Sequence, residues 1–289
     1  MSKTKANFLC LIVACIWGGG FIGTASALAS FQPLTIVFIR FLFASILAFI
    51  YMKLKKEKLT RNDFLYGCIP GIFLCLAFSF QTIGLQYTST GNNAFLTSVN
   101  VILVPYICFI LYKRKPDLWI VLSSFLSFIG IGCLSLQNGL TISKGDAYSL
   151  LCALFFAFHI VSLEWAVQKG SVDGINTIQM FTSAILVIPF MICFETWPAA
   201  ISTNSILGCI YIIFISTFLA YQLQTVAQKY TDASSACVLL GCECLFANLF
   251  GMILFHERKT PIMWLGGLLI FISILICNGK ALFQKKEML

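Results

Sequence analysis

Three ionisable side chains, those of Arg40, His159 and Glu243, lie inside stretches of sequence that are otherwise almost entirely apolar. An arginine in such a place can bind a carboxylate, because its guanidinium keeps its charge and offers several N–H donors. A buried glutamate can carry a proton or hold a cationic group, and a histidine can relay protons. These residue types suggest a site for a small charged molecule.

The elements that must position these groups are membrane helices. Hydrophobic residues make up 59% of the 289 residues and charged residues only 10%, and the mean hydropathy is +0.93, which excludes an ordinary soluble domain. A hydrocarbon core about 30 Å thick requires about 20 apolar residues per helix. The apolar runs are continuous, whereas a transmembrane barrel would alternate. Ten stretches fit, at 7–29, 33–52, 64–86, 92–112, 117–136, 147–168, 175–194, 205–227, 232–255 and 261–281.

The loop charges predict the orientation of this integral plasma membrane protein. Placing the N-terminus in the cytoplasm puts fifteen lysines and arginines on the cytoplasmic side and three on the other side, and such a bias predicts that both termini are cytoplasmic. It also explains the net charge of +8 through an anionic lipid surface, without a nucleic acid partner. The cytoplasmic set is Lys3, Lys5, Lys53, Lys55, Lys56, Lys58, Arg61, Lys113, Arg114, Lys115, Lys169, Lys229, Lys280, Lys285 and Lys286, against Lys144, Arg258 and Lys259.

A shift of 143 residues aligns the two halves of the chain. QTIGLQYTSTGNNAFL (81–96) then faces QTVAQKYTDASSACVL (224–239) with five of sixteen positions identical, four of them polar. The predicted units are 1–139 and 140–289, each with five helices. Because five is odd, the second repeat is inverted relative to the first, which suits alternating access to a site between the halves.

The chain contains no GxxxxGK[ST] phosphate loop, so it encodes no ATP motor and transport would be secondary or facilitated. No cofactor and no metal site are predicted. The expected partners are a small-molecule substrate, the lipid bilayer and protons. A monomer suffices to enclose the site, and a dimer is compatible with it.

Several short motifs carry a resemblance to a known family. They are WGGGF (17–21), FIRFLFA (38–44), GLQYTSTGNNAFLTS (84–98), the ninth-span carboxylate Glu243 and HERKT (256–260). In order and spacing the whole chain resembles the drug/metabolite transporter superfamily, specifically its ten-span EamA-type permeases. The resemblance implies an all-α bundle of ten transmembrane helices, built from two inverted five-helix repeats, that exports or exchanges small metabolites such as amino acids.

The sequence departs from the family pattern beside Glu243. Members often have a proline directly after this glutamate, but Cys244 follows it here, and Pro105 lies five residues beyond Asn100, the repeat counterpart of Glu243. A kink beside Glu243 is therefore not predicted.

Each candidate site residue has a functional and a structural interpretation. Glu243 lies about 18 Å from either face at about 1.5 Å per residue, where it either serves the substrate or a proton or hydrogen-bonds another helix. Arg40, about 10 Å deep, is either a structural or gating charge or a clamp for a substrate carboxylate.

The uncharged candidate residues also have functional and structural interpretations. His159 either hydrogen-bonds in the core or lines a cavity. A buried amide needs a partner, so Gln81 and Gln224 either join helices or face a wet cavity. Asn93 and Asn100 are candidate hydrogen-bond donors into the cavity, and the two aromatic residues either pack or stack on a ligand. The predicted substrate-binding set is Trp17, Gln81, Asn93, Asn100, His159, Tyr221, Gln224 and Glu243.

The leading functional hypothesis is a secondary transporter, an exporter or exchanger, of a small metabolite such as an amino acid. The alternative is a proton-coupled multidrug exporter of lipophilic cations that uses Glu243 and aromatic walls. An enzyme is disfavoured because the chain has two histidines and no HExxH or paired aspartates that would form a catalytic centre.

Overall fold

The computed structural model describes residues 1–88, 90–113, 115, 117–135, 143–255 and 260–283, and this part of the chain contains helices and no β-strand. The predicted repeat boundary at 139/140 and most of the HERKT motif lie outside the described residues, as do Arg114, Lys285 and Lys286. The helices are α1 Lys3–Leu28, α2 Pro33–Leu54, α3 Arg61–Gly84, α4 Thr90–Thr97, α5 Asn100–Tyr112, α6 Leu118–Ser135, α7 Lys144–Ala166, α8 Val172–Phe194, α9 Thr203–Ile210, a π-helical segment Tyr211–Leu219, α10 Ala220–Gln228, α11 Ala233–Leu240, α12 Glu243–Phe255 and α13 Pro261–Phe283.

Eight stretches of the described helices are long and apolar enough to cross a membrane. Two further apolar helices, Leu118–Cys133 and Pro261–Cys277, are shorter within the described residues. Within the described residues, each stretch that the sequence predicts as a span is mainly helical, and many large apolar side chains point outward, as expected for a surface in contact with lipid. The protein is an all-helical membrane protein.

Two of the predicted spans are broken near their centres. A turn at 98–99 separates α4 from α5, and a turn at 241–242 separates α11 from α12. The two breaks are related by the same 143 residues as the sequence match, so Asn100 and Glu243 each begin the second half of a broken helix. The absence of a proline after Glu243 does not prevent a change of helix here, because α12 begins at Glu243 itself and a helix start needs no proline.

The glycines after Trp17 allow α1 to approach its neighbours closely. A Cβ atom built on Gly18 would lie 2.7 Å from Phe246 Cβ and 2.8 Å from Ala247 N, and one on Gly20 would lie 2.7 Å from Ser216 Oγ. Side chains at these positions would therefore force α1 away from α12 and from the π-helical segment.

We expect Gly18→Ala to lower the thermal unfolding temperature in detergent, because overpacking against a backbone atom costs about 1–3 kcal/mol. The matched control is Gly267→Ala in α13, where the nearest atom is the flexible Leu245 Cδ1 at 3.3 Å. Equal unfolding temperatures for the two variants would contradict this account of the contact between α1 and α12.

Ion pairs and carboxylate caps join the helix ends. Lys3 Nζ lies 2.6 Å from Asp232 Oδ2 at the end of the bundle that carries the N-terminus, and Lys55 Nζ lies 2.8 Å from Asp173 Oδ2. The hydrogen bond to Asp173 raises the pKa of Lys55 above its ordinary value. At the opposite end, the Glu195 carboxylate accepts hydrogen bonds from the backbone at the start of α2. These contacts hold the helices around a central space.

Candidate functional site

A central cavity lies between the first helices of the chain and the helices that follow residue 200. Its volume is about 60 Å³, which exceeds the minimum of about 10–15 Å³ that a cavity needs to hold a water molecule. Residues from α1, α2, α3, α4, α5, α7, α10, α11 and α12 line it together with Ser216 of the π-helical segment. The predicted site residues that line it are Trp17, Arg40, Gln81, Asn100, His159, Tyr221, Gln224 and Glu243.

Arg40 is buried in the wall of this cavity, with 2% of its surface exposed. Its Nε donates to Thr217 Oγ1 at 3.0 Å, and its guanidinium carbon lies 4.0 Å from the centre of the Phe78 ring. Among the described residues, no carboxylate forms an ion pair with it. The remaining N–H groups of this fixed cation are therefore available to an anionic group inside the cavity.

Glu243 and Asn100 lie where the two broken helices restart. The Asn100 Oδ1 accepts a weak hydrogen bond from Cys237 Sγ at 3.6 Å. The Glu243 carboxyl lines the cavity and has no hydrogen bond or ion pair to the described part of the chain. An anionic or protonated oxygen therefore lies in the same cavity as Arg40 without being paired to it.

The aromatic wall contains Trp17 and Tyr221, whose ring centres are 5.2 Å apart. Trp17 Nε1 donates to the Ser216 carbonyl oxygen at 2.9 Å, so its polar edge joins α1 to the π-helical segment. Tyr221 is fully buried, and its hydroxyl has no described partner. A buried hydroxyl without a partner is costly, and a ligand that accepts its hydrogen bond would remove that cost.

The repeat-related glutamines Gln81 and Gln224 both line the cavity. Gln224 Nε2 donates to Gln228 Oε1 at 3.0 Å, whereas Gln224 Oε1 is buried without a described partner. Asn93 does not line the cavity. Its Nδ2 donates to Ser149 Oγ at 2.9 Å and to the Gln81 carbonyl oxygen at 3.3 Å, so it joins α4 to α7 and α3.

His159 Nε2 lies 3.0 Å from Gln179 Oε1. Through this contact His159 joins a buried polar network that was not predicted from the sequence. The network runs through four residues of α8 and α10. The missed signal was spacing, because polar residues three apart in apolar spans share one helix face. The network members are Asn176, Gln179, Gln222 and Thr225.

The family comparison decides what kind of protein surrounds this cavity. The profile of the EamA-like transporter family matches residues 4–136 and again residues 143–279. The chain belongs to the EamA-like transporter family. A member of this family is a membrane transporter, and the cavity is the candidate site of this EamA-like transporter.

Individual relatives agree with this family membership. An uncharacterized transporter of Archaeoglobus fulgidus is 35% identical over 278 residues, which cover 96% of this chain and 87% of that protein. The uncharacterized inner membrane transporter YedA of Escherichia coli K12 is 24% identical and covers 94% of this chain and 90% of its own. A solved crystal structure shares the fold with a TM-score of 0.82, 14% identity and coverage of 96% of this chain and 99% of that one.

Proposed function

We propose that this EamA-like transporter is a secondary exporter or exchanger of a small zwitterionic metabolite, such as an amino acid. The observation that carries the proposal is Arg40: a buried cation in the cavity wall with no carboxylate partner among the described residues. Burying an unpaired charge is expensive, so a site that keeps one gains most from an anionic ligand. The Tyr221 hydroxyl supplies a second donor without a partner.

The opposite charge in the cavity favours a zwitterion over a simple anion. Glu243 lines the same cavity as Arg40, and the two ion pairs among the described residues include neither of them. A carboxylate bound at Arg40 and Tyr221, with an ammonium group toward Glu243, would satisfy both groups at once. A proton on Glu243 would fill the same role in the empty site, which supports exchange of substrate against protons.

The size of the cavity favours a small metabolite over a bulky drug. A volume of about 60 Å³ lies well below the range of about 300–1,000 Å³ that is typical of pockets for drug-sized ligands. The second candidate is a multidrug exporter of lipophilic cations. The aromatic side chains of the wall favour it, since Trp17, Phe78, Phe156 and Tyr221 could stack on a cation beside Glu243.

We propose ten spans in two inverted repeats, 1–139 and 140–289, as the framework for alternating access. The double match of the family profile and the paired helix breaks at 98–99 and 241–242 support it. Inverted repeats around a site near the middle of the membrane are typical of transporters that work by alternating access. The loop charges support placing both termini in the cytoplasm of a plasma membrane. One monomer contains the whole cavity.

The test is the thermal stability of the purified protein with four probes: L-alanine, propionate, ethylamine and tetraphenylphosphonium. A ligand at 100 times its Kd adds about 2.7 kcal/mol to the stability of the folded state. We expect L-alanine to raise the unfolding temperature more than either single-charge analogue does. Stabilisation by tetraphenylphosphonium alone would support the drug exporter instead.

A further inference from the structure

A continuous chain of buried hydrogen bonds connects His159 in the cavity wall with Asp173 at the start of α8. His159 Nε2 lies 3.0 Å from Gln179 Oε1, and Gln179 Nε2 donates to Asn176 Oδ1 at 2.9 Å. Asn176 Nδ2 donates to Gln222 Oε1 at 2.7 Å, and Gln222 Nε2 donates to Asp173 Oδ1. All five side chains are buried.

The donors in this chain of hydrogen bonds all point toward Asp173, because an ionised carboxylate only accepts hydrogen bonds. Asp173 is paired with Lys55, so Gln222 must turn its NH₂ toward Asp173 and its oxygen toward Asn176. Asn176 must then donate from its NH₂ group to Gln222 and accept from Gln179, so the NH₂ group of Gln179 faces Asn176. At the far end, Gln179 presents its oxygen to the imidazole, and His159 must donate from Nε2.

In this tautomer, Nδ1 of His159 is free to accept a hydrogen bond from a ligand in the cavity. In a neutral imidazole that carries its proton on Nε2, Nδ1 is an acceptor. His159 lines the cavity, and its Nδ1 has no hydrogen bond to any described residue. Neighbouring Thr225 does not reverse the chain, since its hydroxyl donates to the Tyr221 carbonyl oxygen at 2.6 Å and can accept from Gln179 at 3.3 Å.

We propose that Asp173 is a positioning residue which fixes the tautomer of His159 through Gln222, Asn176 and Gln179, so that His159 Nδ1 accepts a hydrogen bond from the amine of the ligand. An ammonium group has enough donors to reach both this nitrogen and Glu243. The role of Nδ1 toward a ligand rests on the proposed function. The tautomer itself does not, because it follows from the protein contacts alone.

The tautomer is measured by ¹⁵N NMR of the full-length protein labelled with [¹⁵N]histidine and without ligand. The protein has two histidines, so in the His256→Gln variant all histidine signals come from His159. We expect a protonated Nε2 and a non-protonated Nδ1 in this background. Asp173→Asn gives residue 173 an NH₂ donor, which lets the chain reverse, so a large fraction of His159 should then carry its proton on Nδ1.

Two further variants separate positioning from simple loss of structure. Lys55→Gln removes the ion pair but keeps the carboxylate acceptor, so the His159 tautomer should not change. Gln222→Met interrupts the chain while keeping the ion pair, and it should give mixed tautomers even if Asp173→Asn fails to fold. A proton on Nδ1 of the unmodified chain, or a folded Gln222→Met with an unchanged tautomer, would overturn the proposal.

A ligand experiment tests the role of the acceptor nitrogen. We expect Gln222→Met to reduce the ratio of affinities for L-alanine and propionate by the fraction of His159 that keeps its proton on Nε2, about twofold for an equal mixture, because only that tautomer accepts a hydrogen bond from the amine. An unchanged ratio with a changed tautomer would overturn the ligand role and leave the positioning role intact. If L-alanine binds neither protein, the proposed function fails, and the NMR result still decides the tautomer.

Discussion

Replacement of Arg40 by methionine is expected to weaken the binding of carboxylate ligands by at least about thirtyfold, or about 2 kcal/mol. Methionine keeps an apolar stem against Phe78 and removes the guanidinium, whose only hydrogen bond to the described residues is the one to Thr217. Isothermal titration with L-alanine and propionate measures the loss. Ethylamine, which has no carboxylate, should bind the variant at least as well as the original protein.

The controls for Arg40 separate charge from geometry. Arg40→Lys keeps a cation but loses the planar fork, so it should recover only part of the affinity. Arg61→Ala removes an exposed arginine at the start of α3 and should leave the affinity unchanged. If Arg40→Met folds and binds propionate with the original affinity, Arg40 is a structural charge and the proposed clamp is wrong.

Glu243→Gln is expected to have the complementary effect, because it replaces the one carboxyl that lines the described cavity. The affinity for amine-bearing ligands, L-alanine and ethylamine, should fall by about tenfold, or about 1.4 kcal/mol, while propionate binding should stay or improve. The same titration series measures all three ligands. Proton movement coupled to substrate flux in proteoliposomes should also disappear in this variant.

Glu57→Gln is the matched control for Glu243, because it makes the same substitution in the connection between α2 and α3, away from the cavity. It should change neither affinity nor coupling. Loss of tetraphenylphosphonium binding in Glu243→Gln, together with unchanged L-alanine binding, would contradict the zwitterion hypothesis and favour the drug exporter.

The helices could be predicted from the sequence because membrane insertion imposes a simple rule of length and apolarity. The stretches at 33–52 and 175–194, for example, became α2 Pro33–Leu54 and α8 Val172–Phe194. The breaks at 98–99 and 241–242 could not be predicted. Proline, the usual signal, lies inside α5 at Pro105 instead, and the breaks depend on packing between helices that are distant in sequence.

The site was predictable only in part for a similar reason. Arg40, His159 and Glu243 stand out because a charge or an imidazole in lipid needs an explanation. The sequence also predicts Asn93 as a hydrogen-bond donor into the cavity, but its contacts with Ser149 and Gln81 depend on how α4 packs on its neighbours. The hydrogen-bonded chain from Asp173 to His159 crosses three helices. The spacing of Asn176 and Gln179 indicates a polar face on one helix, but it does not show which residues of the other helices that face contacts.

The most direct test of the central claim is counterflow of labelled L-alanine in proteoliposomes. We expect saturable exchange that unlabelled L-alanine inhibits and that propionate and ethylamine inhibit only weakly. Arg40→Met and Glu243→Gln should reduce this exchange at a concentration of L-alanine near its Kd for the original protein. Exchange of labelled L-alanine that persists undiminished in a folded Arg40→Met variant, or that tetraphenylphosphonium inhibits more strongly than unlabelled L-alanine does, would contradict the central claim.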